Sequence, residues 1–281
     1  MMRVLSAVVE VLNQGANALG SSLLAPIAWT PGWLSGTVIA CVSGVLMLLC
    51  FKYASRQEAL RETRRQMHAS LLAVSLFRDN VVVCLREQGR MIWQAARAFG
   101  LSLAPVAVMT LPMVLLLSQL AAWYQWRPLR VGEAAVLTVF LNGTAGDEMP
   151  NVEIKPLEAV TIDVGPVRAV EPRMICWSLR TQSPGMHTLQ IRAGDQVCEK
   201  QLAVGVGYLR VSPIRSSPGL VDQLLYPVER PLPTTGAVRE IELSYPDRAA
   251  PVLGMGAWLV FWFCLSSVAA LVLSPVLRVS L

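Results

Sequence analysis

Few residues of this 281-residue chain have the types and spacing that covalent chemistry needs. Two histidines are present, His68 and His187, and no Cys, His, Asp or Glu cluster at metal-ligand spacing surrounds either. No glycine-rich phosphate loop and no nucleophile elbow occurs. The chain therefore reads as a non-enzyme, with no cofactor and no metal expected. The chemistry left is hydrogen bonding in apolar surroundings. Thr37 and Ser43 lie in one uncharged hydrophobic run, Thr110, Ser118 and Gln119 in a second, and Ser266 and Ser267 in a third. A hydroxyl or amide there either bonds its own helix, packs against a neighbouring helix, or faces a polar cavity.

The elements that must position these residues follow from charge. Between Lys52 and Arg97 stand nine Lys/Arg against four acids, a net +5, while no charge lies between Glu10 and Lys52 or between Arg97 and Arg127. A short cationic loop between two apolar runs stays in the cytoplasm. The N-terminus and the long segment after the second run are then outside, and a third run returns the C-terminus to the cytoplasm. The expected order is an interfacial amphipathic helix and loop (1–31), span one (32–51), a basic helical hairpin (52–99) and span two (100–125). An outer domain (126–250) and span three (251–277) follow. Leu5, Val8, Val9, Leu12 and Ala16 give the first helix its apolar face, and Trp29 and Trp33 suit the headgroup level. Leu60, Thr63, Met67, Leu71 and Val74 form a seam on the first hairpin helix, Arg78-Asp79-Asn80 the turn, and Val81, Val82, Leu85, Met91, Ile92 and Trp93 line the return. Hydrophobic content of 54% with 15% charged residues fits an integral membrane protein. The net charge of +5 is thus first a mark of topology, and no specific DNA binding is expected.

Between Trp126 and Ala250 the pattern changes to period two. Leu137, Val139 and Leu141 share a face, as do Ile175, Trp177 and Leu179, then Leu189 and Ile191, then Ile241, Leu243 and Tyr245. Turns at Ser183-Pro184-Gly185 and Gly194-Asp195 complete the signature of an antiparallel β-sandwich, with a Ser/Pro-rich excursion from Gly205 to Gly236 and a short helix near Leu220–Tyr226. The fold class is thus membrane α plus β: three transmembrane helices, a cytoplasmic two-helix hairpin, and a sandwich between spans two and three. Asn142-Gly143-Thr144 reads as a hairpin turn before it reads as a glycosylation acceptor. Cys176 and Cys198 are candidates for a disulfide only if their strands lie in facing sheets. On a meander they would stand two strands, roughly 9.6 Å, apart, beyond the reach of about 7 Å between Cα atoms.

An outer helix, a span, a basic cytoplasmic hairpin and a proline-bearing second span together resemble the core of the Oxa/YidC insertase superfamily. The three-span members, such as the insertase subunits of the ER membrane complex and of the tail-anchor receptor, are the most similar. Phe51-Lys52-Tyr53-Ala54-Ser55-Arg56-Gln57 at the exit of span one, and Pro105 to Pro112 with Gln119 in span two, carry the resemblance. This chain departs from bacterial members in lacking an arginine in span one and in placing its outer domain between spans two and three. The resemblance implies a groove open to cytoplasm and lipid, lined by Thr37, Ser43, Thr110, Ser118, Gln119, Ser266 and Ser267. It further implies that Arg61, Arg64, Arg65, Arg86 and Arg90, with Met67 and Met91, meet membrane-protein clients, the ribosome or anionic headgroups. A bacterial inner membrane is the expected location. The alternative is an envelope scaffold or binding subunit whose sandwich carries the function and whose spans anchor it.

Overall fold

A computed structural model describes residues 13–15, 17–18, 20, 30–54, 57–76, 81–144, 146–248 and 257–277. The expected apolar face of the first helix (Leu5, Val8, Val9, Leu12, Ala16), Trp29, and the Arg78-Asp79-Asn80 turn lie outside the described residues. The chain divides into two units. One comprises residues 1–32 and 114–258, the other residues 33–113 and 259–281.

The second unit is helical. Helix α1 spans Gly32–Ala54, α2 Gln57–Leu76, α3 Val81–Tyr124 and α5 Ala257–Leu273. Two stretches, Gly32–Tyr53 and Val106–Tyr124, are long and apolar enough to cross a membrane. Only 28% of each is buried, too little for a helix covered by a soluble core. A third apolar helix, Trp258–Leu273, is shorter. Pro105 and Pro112 interrupt neither helix nor count: α3 runs unbroken for 44 residues, so the return helix of the hairpin and span two are one element.

Small residues let α1 and α5 approach closely. Gly36, Ala40 and Gly44 recur every four residues, a spacing that puts them on one face. A Cβ on Gly44 would lie 2.4 Å from the Ser266 carbonyl oxygen, and one on Gly36 would rest 3.5 Å from the Phe261 ring. Ala40 is fully buried, and Trp262 Nε1 donates to Ser43 Oγ at 2.9 Å. The opposite face, Val38, Val42 and Leu46, is uncovered. Apolar helices with no water to expel associate through just such close backbone contact.

Among the described residues, the first unit carries eight strands in two antiparallel sheets. These are β1 (Ala134–Leu141), β2 (Val152–Ile154), β3 (Val160–Ala169), β4 (Met174–Thr181), β5 (Gly185–Ala193), β6 (Gln196–Val204), β7 (Ile214–Ser216) and β8 (Val238–Leu243). The five-stranded sheet runs β3-β4-β1-β8-β7 and the three-stranded sheet β2-β5-β6. Cross-strand rows Trp177–Leu137–Leu243 and Ile175–Val139–Ile241 show that the predicted alternation sets the register. Those rows share one buried cluster with Leu189, Ile191, Cys198 and Leu202 of the other sheet. The short helix α4, Leu220–Leu225, stands where expected.

Three local readings change. The segment from β4 to β5 passes from one sheet to the other, so the turn at Ser183-Pro184-Gly185 joins strands of different sheets. Asn142-Gly143 likewise follows β1 into a crossover loop. Gly143 adopts φ +109° there, the Asn142 amide donates to Gly236 O at 2.7 Å, and Arg173 holds the loop through the Thr144 and Asp147 carbonyls. Cys176 and Cys198 are in different sheets, as a bridge would require, yet both are free. Cys176 shares the outward side of β4 with Ser178 and Arg180, whereas Cys198 points into the core, so the two thiols do not face each other.

Two predictions follow from this packing. Gly44→Val should lower the thermal stability of the detergent-solubilised chain by several degrees, whereas Val42→Leu on the open face should not; equal behaviour would show that α1 and α5 do not depend on that contact. In the other unit, Arg127 forks onto Glu133 at 2.7 and 2.8 Å and, with the Arg130 amide, holds its carboxyl down at about 2. A depressed carboxyl stabilises the fold fully above its ordinary pKa of about 4.3 and loses that contribution as pH falls toward 2. Glu133→Gln should therefore flatten the acid limb of a stability–pH curve without changing its neutral slope.

Candidate functional site

Most of the residues expected to line a groove bond the carbonyls of their own helices. The Thr37 hydroxyl donates to Trp33 O at 2.7 Å, Thr110 to Val106 O at 2.8 Å, Ser118 to Leu115 O at 3.0 Å and Ser266 to Phe263 O at 3.1 Å. Ser43 donates to Ala40 O at 3.0 Å while accepting from Trp262. Each hydroxyl thus pays part of its desolvation inside its own helix. Ser43 and Ser266 serve the α1–α5 contact, Thr110 faces outward, and Thr37 and Ser267 are half-buried. Gln119 is different, because its amide is committed to other segments.

Gln119 belongs to a polar cluster that sequence patterning did not reveal. Residues 13–15, 17–18 and 20 are helical, which places Asn13 and Asn17 one turn apart on one face. Gln119 Nε2 donates to Asn17 Oδ1 at 2.7 Å, and Arg210 Nη2 donates both to Gln119 Oε1 at 2.8 Å and to Asn17 Oδ1. Asn17 and Asn13 in turn donate to the carbonyls of Pro227 and, at 2.6 Å, Gln223. Burial pulls the Arg210 guanidinium below its ordinary value, and amide oxygens rather than carboxylates receive it. Arg210 comes from the excursion, so one half-buried cation connects the N-terminal helix, the C-terminal end of α3 and the chain after β6.

The excursion is itself fastened by a second cation, this one fully buried. Lys200 lies on the inner face of β6, fully buried. Its ammonium donates to Ser212 O at 2.7 Å and to Glu229, while Ser212 Oγ and the Gln201 amide donate to the same carboxylate at 2.6 Å each. Burial pushes the Lys200 amine down and the Glu229 charge pushes it back up. A buried strand position normally calls for an apolar residue, so nothing in the period-two pattern marks Lys200 as internal. Beside Glu229 opens a cavity of about 350 Å³, also lined by Asn13, Arg215, Asp222, Gln223 and Tyr226. Among the described residues, the side-chain oxygens of Asn13 and Gln223 have no hydrogen-bond partner.

On the polar hairpin, Arg65, Arg86 and Arg90 are exposed, Arg90 pairing with Glu87 at 2.7 Å, and Met67 and Met91 are half-buried. The side chains of Arg61 and Arg64 lie outside the described residues. The buried positions recur as Thr63 and Ser70 on α2, and the half-buried ones as Glu87, Met91, Gln94 and Ala98 on α3. The apolar residues expected to line the return helix divide differently. Val82, Leu85, Ile92 and Trp93 are all exposed. With Gly89, Ala96, Phe99, Leu103 and Val106, the first three form a face repeating at three and four residues along α3. Among the described residues, no group of His, Cys, Asp and Glu is arranged to hold a metal ion.

No known family matches this chain, and neither a curated protein nor a solved structure does.

The Lys200 arrangement generates a direct test. Removing one partner of a buried ion pair leaves the other charge unpaired, at a cost of about 3–5 kcal/mol. Lys200→Met should thus depress the melting temperature of the purified chain by roughly 10 °C or more. Lys200→Met combined with Glu229→Leu should recover much of that loss. A double variant no better than the single one would show that the pair does not act as a unit.

Proposed function

We propose that this protein is an insertase-like membrane chaperone. Three helices span the membrane with the N-terminus outside and the C-terminus in the cytoplasm, and the β region is an extracytoplasmic sandwich. The bacterial inner membrane is the site of action. The observation that carries the reading is the uncovered apolar face of α3 on its polar, hairpin half. Val82, Leu85 and Ile92 stand exposed beside Arg86 and Arg90, on a helix that continues without a break into an apolar stretch. Exposed apolar stripes of that length mark a surface that receives something. A client's apolar segment covers it and passes along the same helix toward lipid, while Arg65, Arg86 and Arg90 attract anionic headgroups or ribosomal RNA.

The groove narrows under this reading. Ser43 and Ser266 serve helix packing, Ser118 is buried and bonded within its own helix, and Gln119 holds Arg210, which leaves Thr37, Thr110 and Ser267 as the polar positions that a client's hydrophilic flank meets. The support for a second reading, an envelope binding subunit, is the cavity beside Glu229, whose lining holds two unpartnered amide oxygens.

Photocrosslinkers distinguish the two. Placed at Leu85, Ile92 and Thr110 in membranes supplied with nascent membrane proteins, they should capture those clients, and crosslinkers at Tyr226 and Arg230 should not. Leu85→Asp with Ile92→Asp should cut capture at Thr110 by at least about tenfold, given roughly 1.5–3 kcal/mol for each apolar side chain left uncovered. Capture at Tyr226 and Arg230 alone would overturn the insertase reading in favour of the binding subunit.

A further inference from the structure

The loop Gly205–Leu209 leaves β6 and enters the excursion, and Tyr208 fixes its position. The Tyr208 ring meets that of Tyr124, the last residue of α3, with centroids 5.5 Å apart. Tyr124 stacks in turn on Trp258, in the first turn of α5, at 6.5 Å. Gly32, the first residue of α1, lies so close to Tyr208 that a Cβ there would fall 1.6 Å from the phenolic oxygen. One tyrosine of the β region therefore touches the terminal residues of two apolar helices and, through Tyr124, meets the first turn of a third. Arg248 closes the arrangement from another side, its guanidinium 4.0 Å from the Tyr208 ring centre and bonded to the carbonyls of Trp126 and Gly207.

Tyrosine, tryptophan and arginine gathered at the ends of apolar helices are the composition of a membrane–water boundary, where amphipathic rings keep one edge in hydrocarbon and one in water. Two residues from Tyr208 stands Val206, 85% exposed, among the most exposed large apolar residues described. Gly205 at φ +152° and Gly207 at φ +86° flank it and give the tip a backbone that residues with side chains adopt only under strain. The tip is thus a single apolar side chain held out on a Gly-Val-Gly turn at the level where the helices end.

We infer that the Gly205–Gly207 tip inserts Val206 into the acyl region of the outer leaflet, so that the β region touches lipid directly as well as through its flanking helices. The partner is the bilayer surface itself, and the contact fixes the tilt of the β region over the membrane. An uncovered valine on water would have no reason to be carried on so constrained a turn, whereas a partner protein would call for a broader apolar surface around it. The inference rests on the reading of the apolar helices as spans.

The test is photolabelling of the full chain in liposomes of phosphatidylcholine that carries a diazirine near the top of one acyl chain. After trypsin, Gln201–Arg210 contains the whole loop, Thr181–Arg192 is a strand control, and Ala98–Arg130 contains the apolar part of α3. Lipid adducts should form on Gln201–Arg210 and Ala98–Arg130, with little on Thr181–Arg192. Val206→Asp should reduce the loop adduct at least fivefold and leave Ala98–Arg130 unchanged. Loop labelling no higher than that of Thr181–Arg192, or undiminished in Val206→Asp, would overturn the inference while the spans stand. Absence of adducts on Ala98–Arg130 would instead overturn the membrane reading beneath it.

Discussion

Residues 205–236 contribute one three-residue strand and one six-residue helix, too little regular structure to hold themselves in place. Their position depends on the Lys200–Glu229 pair. Taking a lysine out of water is costly, and a buried ammonium persists only where a carboxylate and further acceptors surround it. Lys200 meets that demand by drawing Ser212 and Glu229, from the two ends of the excursion, onto β6. Arg215 adds a second fastening through the Glu199 and Arg230 carbonyls. With those ends fixed, the segment between β6 and Ser212 has little freedom, and Tyr208 and Arg210 fall where they meet aromatic and amide partners. The pair is a positioning device: exchanging it for apolar residues keeps the packing, and breaking it frees the segment.

Arg210 shows how such a device reaches the first helical residues. Its guanidinium is received by Asn17 and Gln119, neutral groups whose own spare amide protons go to other segments. A chain of hydrogen bonds of this kind strengthens each member in a low-dielectric setting and penalises the loss of any one. The amide of Gln119, counted from sequence among residues awaiting a polar client, is thereby occupied. α3's open face differs, since its described apolar side chains Val82, Leu85 and Ile92 are exposed.

Much of this was legible beforehand, for identifiable reasons. Alternation in β1, β4 and β5, and in β8 from Ile241 onward, is clear because one face of each strand enters a single core, and the cross-strand rows reproduce it. The uncharged runs give α1 and the apolar half of α3 directly. Strand β3 escaped because it is an edge strand exposed along nearly its whole length, so no face is marked by hydrophobicity. Gly165 within it passes so close to Trp177 that a Cβ would sit 2.7 Å from the ring, a constraint invisible without the partner strand. The crossovers after β1 and β4 escaped because Asn-Gly and Ser-Pro-Gly serve a hairpin and a sheet-to-sheet passage equally well. Lys200 and Arg210 escaped because a cation in an alternating or irregular segment reads as solvated until its acceptors are seen.

The small-residue face of α1 belongs to a different category, since its signal was present in the sequence. Gly36, Ala40 and Gly44 at four-residue spacing predict close helix approach on their own, and Ser43 beside them supplies a hydrogen bond to Trp262. Reading Ser43 as a groove residue put polarity ahead of size. In an apolar helix the two signals compete, and the contact geometry decides between them. A hydroxyl next to a glycine that admits a neighbouring backbone to within van der Waals distance is already at an interface. It cannot also face an open cavity. By the same logic Thr110 carries information, since none of its neighbours at three or four residues is a glycine, it is exposed on α3, and among the described residues its hydroxyl bonds its own helix at Val106 O. A segment laid along that face would meet the Thr110 hydroxyl after the apolar row that ends at Val106.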